Sequence, residues 1–255
     1  MEESRDKYPR KEKKDVIFGI HPVLEAIKSE QELNKILIQK GIEKDLFREL
    51  KEALAGKDYN IQFVPVQKLN KLTSGNHQGV VAYVTPIEYQ NIESIVDDWS
   101  EKEKNICILV LDRITDVRNF GAIARSAECQ GVDAIVIPSK GSALVSSDAV
   151  RTSSGALSRI PVCKTDDLKN TLFYIQQSGI RLIACTEKSS LPLHEINLRG
   201  SIAIIMGSEE NGITSDLINL SDVRTKIPMH GEIASLNVGV ATGIILYEKM
   251  RQENL

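Results

Sequence analysis

Five polar side chains stand in three stretches otherwise rich in glycine and other small residues. Asn119 and Arg125 lie in LDRITDVRNFGAIARSAECQG (Leu111–Gly131), Glu209 in IIMGSEENGIT (Ile204–Thr214), and Ser235 with Asn237 in IPMHGEIASLNVGVATGIILYE (Ile227–Glu248). Amide, guanidinium, carboxylate and hydroxyl groups orient a substrate or stabilise charge that develops on it. Neighbouring glycines such as Gly121, Gly207 and Gly212 let main chain come close to a ligand. Neither G-x-G-x-x-G nor G-x-x-x-x-G-K-[ST] occurs, which weakens dinucleotide and P-loop nucleotide readings. A ligand at these loops would be held largely by backbone amides and carbonyls. Each feature also has a plainer explanation: Asn119 and Ser235 are good helix N-caps, and glycine after a buried strand is routine.

Strands and helices must bring the three stretches together. ICILVLD (Ile106–Asp112) is a continuous apolar run, which predicts a strand buried on both faces. Ala134–Ile137, Arg181–Cys185 and Ser201–Gly207 read as further strands. Asn119–Gln130, Asp166–Gln177 and Ser235–Met250 have helical spacing. Such alternation predicts a mainly parallel sheet covered on both faces, with ligands at the carboxyl ends of its strands, where the three stretches fall. Periodicity alone therefore predicts an ordinary doubly wound sheet. Ahead of it, Val16–Thr85 predicts a smaller α/β unit. The polar, acidic run 86–105 reads as a linker with a weak helical stretch around Ile92–Trp99, and residues 1–15 as a charged, flexible tail.

The three stretches resemble the three sequence motifs of the SpoU/TrmH family of RNA ribose 2′-O-methyltransferases, within the SPOUT superfamily. Asn119-Phe-Gly-Ala-Ile-Ala-Arg125 is similar to the first motif and Gly207-Ser-Glu209-Glu-Asn-Gly212 to the second. Ile227-Pro-Met followed by Ser235-Leu-Asn237-Val is similar to the third. Their order and spacing match across residues 106–255. In the front half, FGIHPVLEAI and HQGVVA resemble the family's small substrate-binding domain, which is related to ribosomal protein L30e. One departure stands in the first motif: the family often has Asp-Pro-x-Asn, and this chain has Asp116-Val117-Arg118-Asn119.

The resemblance implies an L30e-like RNA substrate-binding domain at 16–85 and a SPOUT α/β-knot domain at 106–255, whose C-terminal trefoil knot is an exception to the rule that chains do not thread loops. It implies methyl transfer from S-adenosylmethionine to a ribose 2′-hydroxyl, with no metal. By the same resemblance Gly207, Ile227, Leu236 and Met229 contact the methyl donor, mostly through main chain. Arg125, Asn119, Glu209, Ser235 and Asn237 form the catalytic set. Arg125 is proposed in the family as catalytic. A guanidinium stays protonated in proteins, so an orienting and charge-stabilising role suits it better than that of a base. Asn119 would hold the ribose or Arg125, and Glu209 would anchor Arg125 or the glycine-rich loop. The architecture is similar to that of the enzyme that methylates a guanosine of the peptidyl-transferase region of 23S rRNA, so a 23S guanosine is the expected target, with tRNA or another rRNA site as the alternative. Family members are dimers, and the face Leu236, Val240, Ile244 and Tyr247 of the last helix could serve that contact or an internal core.

Composition agrees with an ordinary globular chain: 255 residues, 42% hydrophobic and 26% charged. A net charge of −3, from 32 basic and 35 acidic residues, excludes a generic polyanion binder and leaves room for a local basic patch. Arg118 is one candidate RNA contact. Arg151 and Arg159 are others, in the serine-rich stretch Lys140–Lys164, whose only acid is Asp148; the same composition also fits a solvated loop. No apolar run is long enough for a bilayer, and Met1–Lys14 lacks a signal peptide's apolar core, so a cytoplasmic location is expected. Cys107, Cys129, Cys163 and Cys185 form no C-x-x-C and sit among apolar neighbours, which predicts buried, reduced thiols rather than a zinc site. Against an enzyme stands one other class, a non-catalytic RNA-binding or ribosome assembly protein, which would not require all five polar residues.

Overall fold

The computed structural model describes residues 15–254 except positions 43, 57, 58, 103 and 234. The expected tail thus lies outside the described residues, Asp15 apart. Residues up to Thr85 form one unit and Pro86–Leu255 a second.

The first unit runs β1 (Val16–Phe18), α1 (Ile20–Lys28), β2 (Leu33–Gln39), α2 (Lys44–Leu54), β3 (Ile61–Val64), α3 (Val66–Asn70) and β4 (Val80–Val84). Its sheet has the order β1-β4-β2-β3, with only β2 and β3 parallel. The two-residue period of a strand sorts its core. Ile36 and Ile38 join Val23, Leu24 and Ile27 of α1 and Leu50 of α2 on one face, while Leu37 joins Val81 and Leu69 of α3 on the other.

The second unit begins with α4 (Ile92–Ser100), inside the run expected to be a linker. That expectation is corrected by packing: Ile92 and Val96 are buried in the same core as the central strands, and Gln90 N donates to Val162 O. The polar residues of this run occupy one helix face, so composition outvoted a short apolar stripe. The order continues β5 (Cys107–Asp112), α5 (Val117–Cys129), β6 (Ala134–Pro138), α6 (Ser147–Thr152), β7 (Val162–Thr165), α7 (Leu168–Gln177), β8 (Arg181–Cys185), β9 (Ile202–Gly207), α8 (Ser215–Leu220), β10 (Val223–Thr225) and α9 (Val238–Glu253). The six strands pair in the order β10-β8-β9-β5-β6-β7, every neighbouring pair parallel. All six residues of β5 are buried, as a strand covered on both faces must be. The helices divide between two cores, with α5 and α9 on one face of the sheet and α4, α7 and α8 on the other.

The C-terminal segment is clasped by two earlier loops. Lys226 N donates to Leu191 O and receives Leu193 N at its own carbonyl, so the loop after β8 grips the exit of β10. Farther on, Arg199 and Leu198 of that loop bond Gln252 near the end of α9. The loop after β9 holds the beginning of α9 through Glu209, which accepts from Val238 N and from Asn237.

Of the four cysteines, Cys107 and Cys163 are buried, but Cys129 is exposed at the end of α5 and Cys185 is half-buried. Cys129 departs from expectation because its side chain falls on the outer stripe of α5, with Arg118, Ala122 and Arg125.

Candidate functional site

The helices that carry the motifs start where neither expected cap lies. Asp116, not Asn119, caps α5, its carboxylate accepting from the N–H of Arg118 and Asn119. Asn237, not Ser235, caps α9, its Oδ1 accepting from the N–H of Gly239 and Val240. The plainer explanation of Asn119 and Ser235 is therefore removed, and both side chains are released for other contacts.

Three of the expected site residues meet directly. Asn237 Nδ2 donates to Oδ1 of Asn119 at 2.9 Å and to Oε1 of Glu209 at 2.8 Å. Residues 118 positions apart are joined because α5 and α9 lie side by side at very close range. A Cβ on Gly239 would stand 3.4 Å from Ala122 Cβ, and one on Gly243 would lie 3.8 Å from Ser126 Oγ. Glycines spaced four apart let the helix backbones approach in this way. Gly207 is more tightly confined: a Cβ there would fall 2.1 Å from the carbonyl carbon of Gly212, because the loop after β9 folds back on itself through the Ser208–Gly212 pair.

Two cavities flank that loop. The first, about 450 Å³, is lined by Gly207, Ile227, Met229, Ser235 and Leu236, all expected at the site, over an apolar floor that includes Met206 and Ile245. The second, about 360 Å³, lies among Arg113, Thr115, Asp116, Asn119 and Gly141. Ser208, Glu209, Glu210, Asn211 and Val238 border both. The loop after β9 is thus a partition between two chambers, each lined by a mixture of polar and apolar groups.

Sequence reasoning missed the loop after β8. Cys185, Thr186, Glu187 and Lys188 line the first cavity, as does Lys226. The rule that ligands sit at strand carboxyl ends, applied to β8, would have found them. Glu187 Oε1 lies 4.0 Å from where a Cβ on Gly212 would be. Burial pushes the Cys185 thiol up to about 12, so this thiol is uncharged at neutral pH. Arg113 and Asp112, which hold the partition from behind, were also passed over.

The structure does not gather the arginines with the amide–carboxylate cluster. Arg125 is exposed on α5 and makes no hydrogen bond to Glu209 or Asn119. Arg118 and Arg125, seven residues apart, share one outward stripe of that helix. Arg151 on α6 pairs with Asp148, and Arg159 pairs with Glu128 at 3.6 Å. Glu128 sits nine residues beyond Asn119 along α5, about 13 Å at the helical rise, so Arg159 is remote from the cluster. Among the described residues no group of three or more His, Cys, Asp or Glu side chains is arranged to hold a metal ion. No described helix is long and apolar enough to cross a membrane.

Family models locate this architecture. Residues 106–247 match the SpoU rRNA Methylase family, and residues 16–90 match the RNA 2′-O ribose methyltransferase substrate-binding domain. The chain belongs to the SpoU methylase family. A Staphylococcus saprophyticus protein assigned to the TrmH family of tRNA/rRNA methyltransferases is 34% identical over 94% of this chain and 96% of its own length. Among solved structures, the SpoU methyltransferase AviRb of Streptomyces viridochromogenes in complex with AdoMet superposes with a TM-score of 0.60 at 22% identity, covering 94% of this chain and 90% of that one. An RNA 2′-O ribose methyltransferase gives a TM-score of 0.56 at 26% identity, over 94% and 89%. The SpoU fold, a substrate-binding domain followed by a parallel α/β catalytic domain of the α/β-knot class, is therefore the fold of this RNA methyltransferase, where periodicity alone pointed to an ordinary doubly wound sheet.

Proposed function

We propose that this SpoU-family chain transfers a methyl group from S-adenosylmethionine to a ribose 2′-hydroxyl of rRNA, with a guanosine of 23S rRNA as its target. One observation carries the reading: a single loop, bearing Glu209, walls two adjoining chambers. A donor and an acceptor in adjoining chambers are brought together without mixing their binding groups.

The first chamber fits the donor. Its volume suits a nucleoside-sized ligand, its floor is apolar, and its rim offers backbone groups at Gly207, Ile227 and Leu236. The carboxylates of Glu187, Glu209 and Glu210 face a ligand that carries positive charge. When bound, S-adenosylmethionine supplies an already electrophilic methyl. What remains for the protein is alignment, which contributes about 7–11 kcal/mol when two reactants are held in line, and stabilisation of charge on the attacking oxygen.

Asn119, on α5, lines the second chamber, where its amide orients the ribose. Arg118 and Arg125 present guanidinium groups along α5 for backbone phosphates. Arg125 orients the phosphate and stabilises the developing alkoxide. Ser235 shapes the mouth of the donor chamber, and Glu209 with Asn237 keeps the partition at the start of α9. Arg151 is a peripheral phosphate contact; the ion pair of Arg159 argues for a lesser part.

The active form is a homodimer. Leu236, Val240, Ile244 and Tyr247 are 38%, 53%, 39% and 55% exposed, while the opposite side of α9 is buried against the sheet. An apolar stripe of that size beside the Arg118–Arg125 stripe suits an interface between copies, next to which the RNA would lie. Removing the gene and mapping ribose 2′-O-methyl marks on total RNA tests the whole reading. A single 23S guanosine mark should vanish; loss from tRNA alone would reassign the substrate, and no loss would reject the activity.

A further inference from the structure

Behind the partition lies a layer of contacts converging on Asp112, the last residue of β5 and only 4% exposed. In the ladder Asp112 stands opposite Gly207, where the loop after β9 departs. Its Oδ2 accepts from the backbone N–H and the hydroxyl of Thr214, at 2.7 and 2.6 Å, where that loop ends. Arg113 closes the ring. Its Nε donates to Asp112 Oδ1 at 3.0 Å, and its Nη2 donates to both Asp112 Oδ2 and the carbonyl of Gly212. Both ends of the loop are thus tied to the Asp112–Arg113 pair: Gly207 by strand pairing with Asp112, Gly212 through the Arg113 guanidinium, and Thr214 directly by the Asp112 carboxylate.

Arg113 is held in a backbone conformation rare for a residue with a side chain, at φ +59°. Such a conformation persists only where the surroundings impose it, and it recurs at functional sites. Here it turns the guanidinium back under the loop. The same residue lines the second chamber, while the loop it grips walls the first as well.

We infer that Asp112, Arg113 and Thr214 form a positioning clasp that sets the loop 208–212, and through it places Glu209 against Asn237 between donor and acceptor. The inference rests on the donor site proposed above. None of the three is a catalytic residue in this scheme; each acts through Glu209.

Arg113→Gly tests it, because glycine accepts the positive φ while the guanidinium is lost. The variant should melt within about 5 °C of the parent. Amide exchange over 208–214 in the free protein should quicken, with the sheet unchanged. Calorimetric affinity for S-adenosylmethionine should fall about tenfold, the loss expected for one charge-assisted hydrogen-bonding group. Arg113→Lys, which keeps charge but not the fork, should fall between the two and serves if the glycine variant does not fold. Folded variants with parental loop exchange and parental donor affinity would overturn the clasp, as would loss of protection spread over the whole domain. If the parent itself takes up no S-adenosylmethionine, the donor-site reading fails, and the exchange experiment still decides whether Arg113 sets the loop.

Discussion

Asn237 donates one amide hydrogen to Glu209 at 2.8 Å while its carbonyl oxygen caps α9. One side chain therefore performs a structural and a site-forming task with different atoms. Asn237→Asp separates them. Aspartate caps a helix as well as asparagine, so the fold should survive with a change under about 1 kcal/mol. Its second oxygen, however, would face the Glu209 carboxylate with no proton to share, and donor affinity should drop by at least about tenfold. Thermal melting with calorimetry distinguishes the two effects; parental affinity in the folded variant would show that the Asn237–Glu209 bond is incidental.

Arg125 stands outside the amide–carboxylate cluster, exposed on α5. If it orients RNA and stabilises charge, Arg125→Lys should leave donor affinity unaltered and lower single-turnover methyl transfer by about 10²- to 10³-fold. Lysine retains the charge and loses the planar fork. Turnover near that of the parent would contradict the orienting role.

The sequence was most informative where buried strands are continuous and motifs are dense. Ile106–Asp112, Arg181–Cys185 and Ser201–Gly207 announce a parallel sheet, and the motif resemblance named Gly207, Ile227, Met229, Ser235 and Leu236, which line the first cavity. Three things were not legible. Val162–Thr165 is a four-residue edge strand whose Lys164 and Thr165 hide the pattern. The caps at Asp116 and Asn237 shift two helix starts, because asparagine, aspartate and serine suit the position almost equally. The meeting of Asn119 with Asn237 needs α5 to pack on α9, a tertiary fact that no local pattern encodes.

Gly207 and Gly243 make a paired test of backbone confinement. A methyl at Gly207 would lie 2.1 and 2.2 Å from main-chain atoms of Gly212 and Ile213, which cannot yield without opening the loop. Gly207→Ala should cost about 1–3 kcal/mol of stability and abolish donor binding. Gly243→Ala meets only the Ser126 hydroxyl at 3.8 Å and should be neutral, or stabilising by up to about 1 kcal/mol, since alanine is the better helix former. Denaturant titration with calorimetry measures both. Equal behaviour of the two variants would mean that the loop is not closed over Gly207.

Burial pushes the thiols of Cys107, Cys163 and Cys185 up to about 12, whereas Cys129 lies open on α5. The thiolate is the reactive form. At pH 8 a thiol with that pKa is about one part in 10⁴ ionised. Iodoacetamide should therefore alkylate Cys129 first and leave the other three until the protein unfolds. Raising the pH toward 11 should bring Cys185 into reaction ahead of Cys107 and Cys163, because Cys185 borders a cavity. Mass spectrometry of the digested protein reads the order, and labelling of Cys185 at pH 8 at the rate of Cys129 would show that its wall of the donor chamber is wet.

The proposed homodimer places the exposed side of α9 at its interface. Val240 and Tyr247 are each more than half exposed, so neither contributes much to the core of its own chain, and changing them should spare the fold. Lysines at both positions put like charge on both ends of the stripe, and an isologous contact sets each against the same charge on the partner. Val240→Lys/Tyr247→Lys should halve the mass measured by light scattering at micromolar concentration and leave the melting of the separated chain cooperative. Methyl transfer should fall with dimer content if RNA lies across the interface, while calorimetric donor uptake, which uses one chain's chamber, should decline less. A parent protein that is monomeric under the same conditions would remove the interface, and the apolar stripe would then be left for the RNA or another protein to cover.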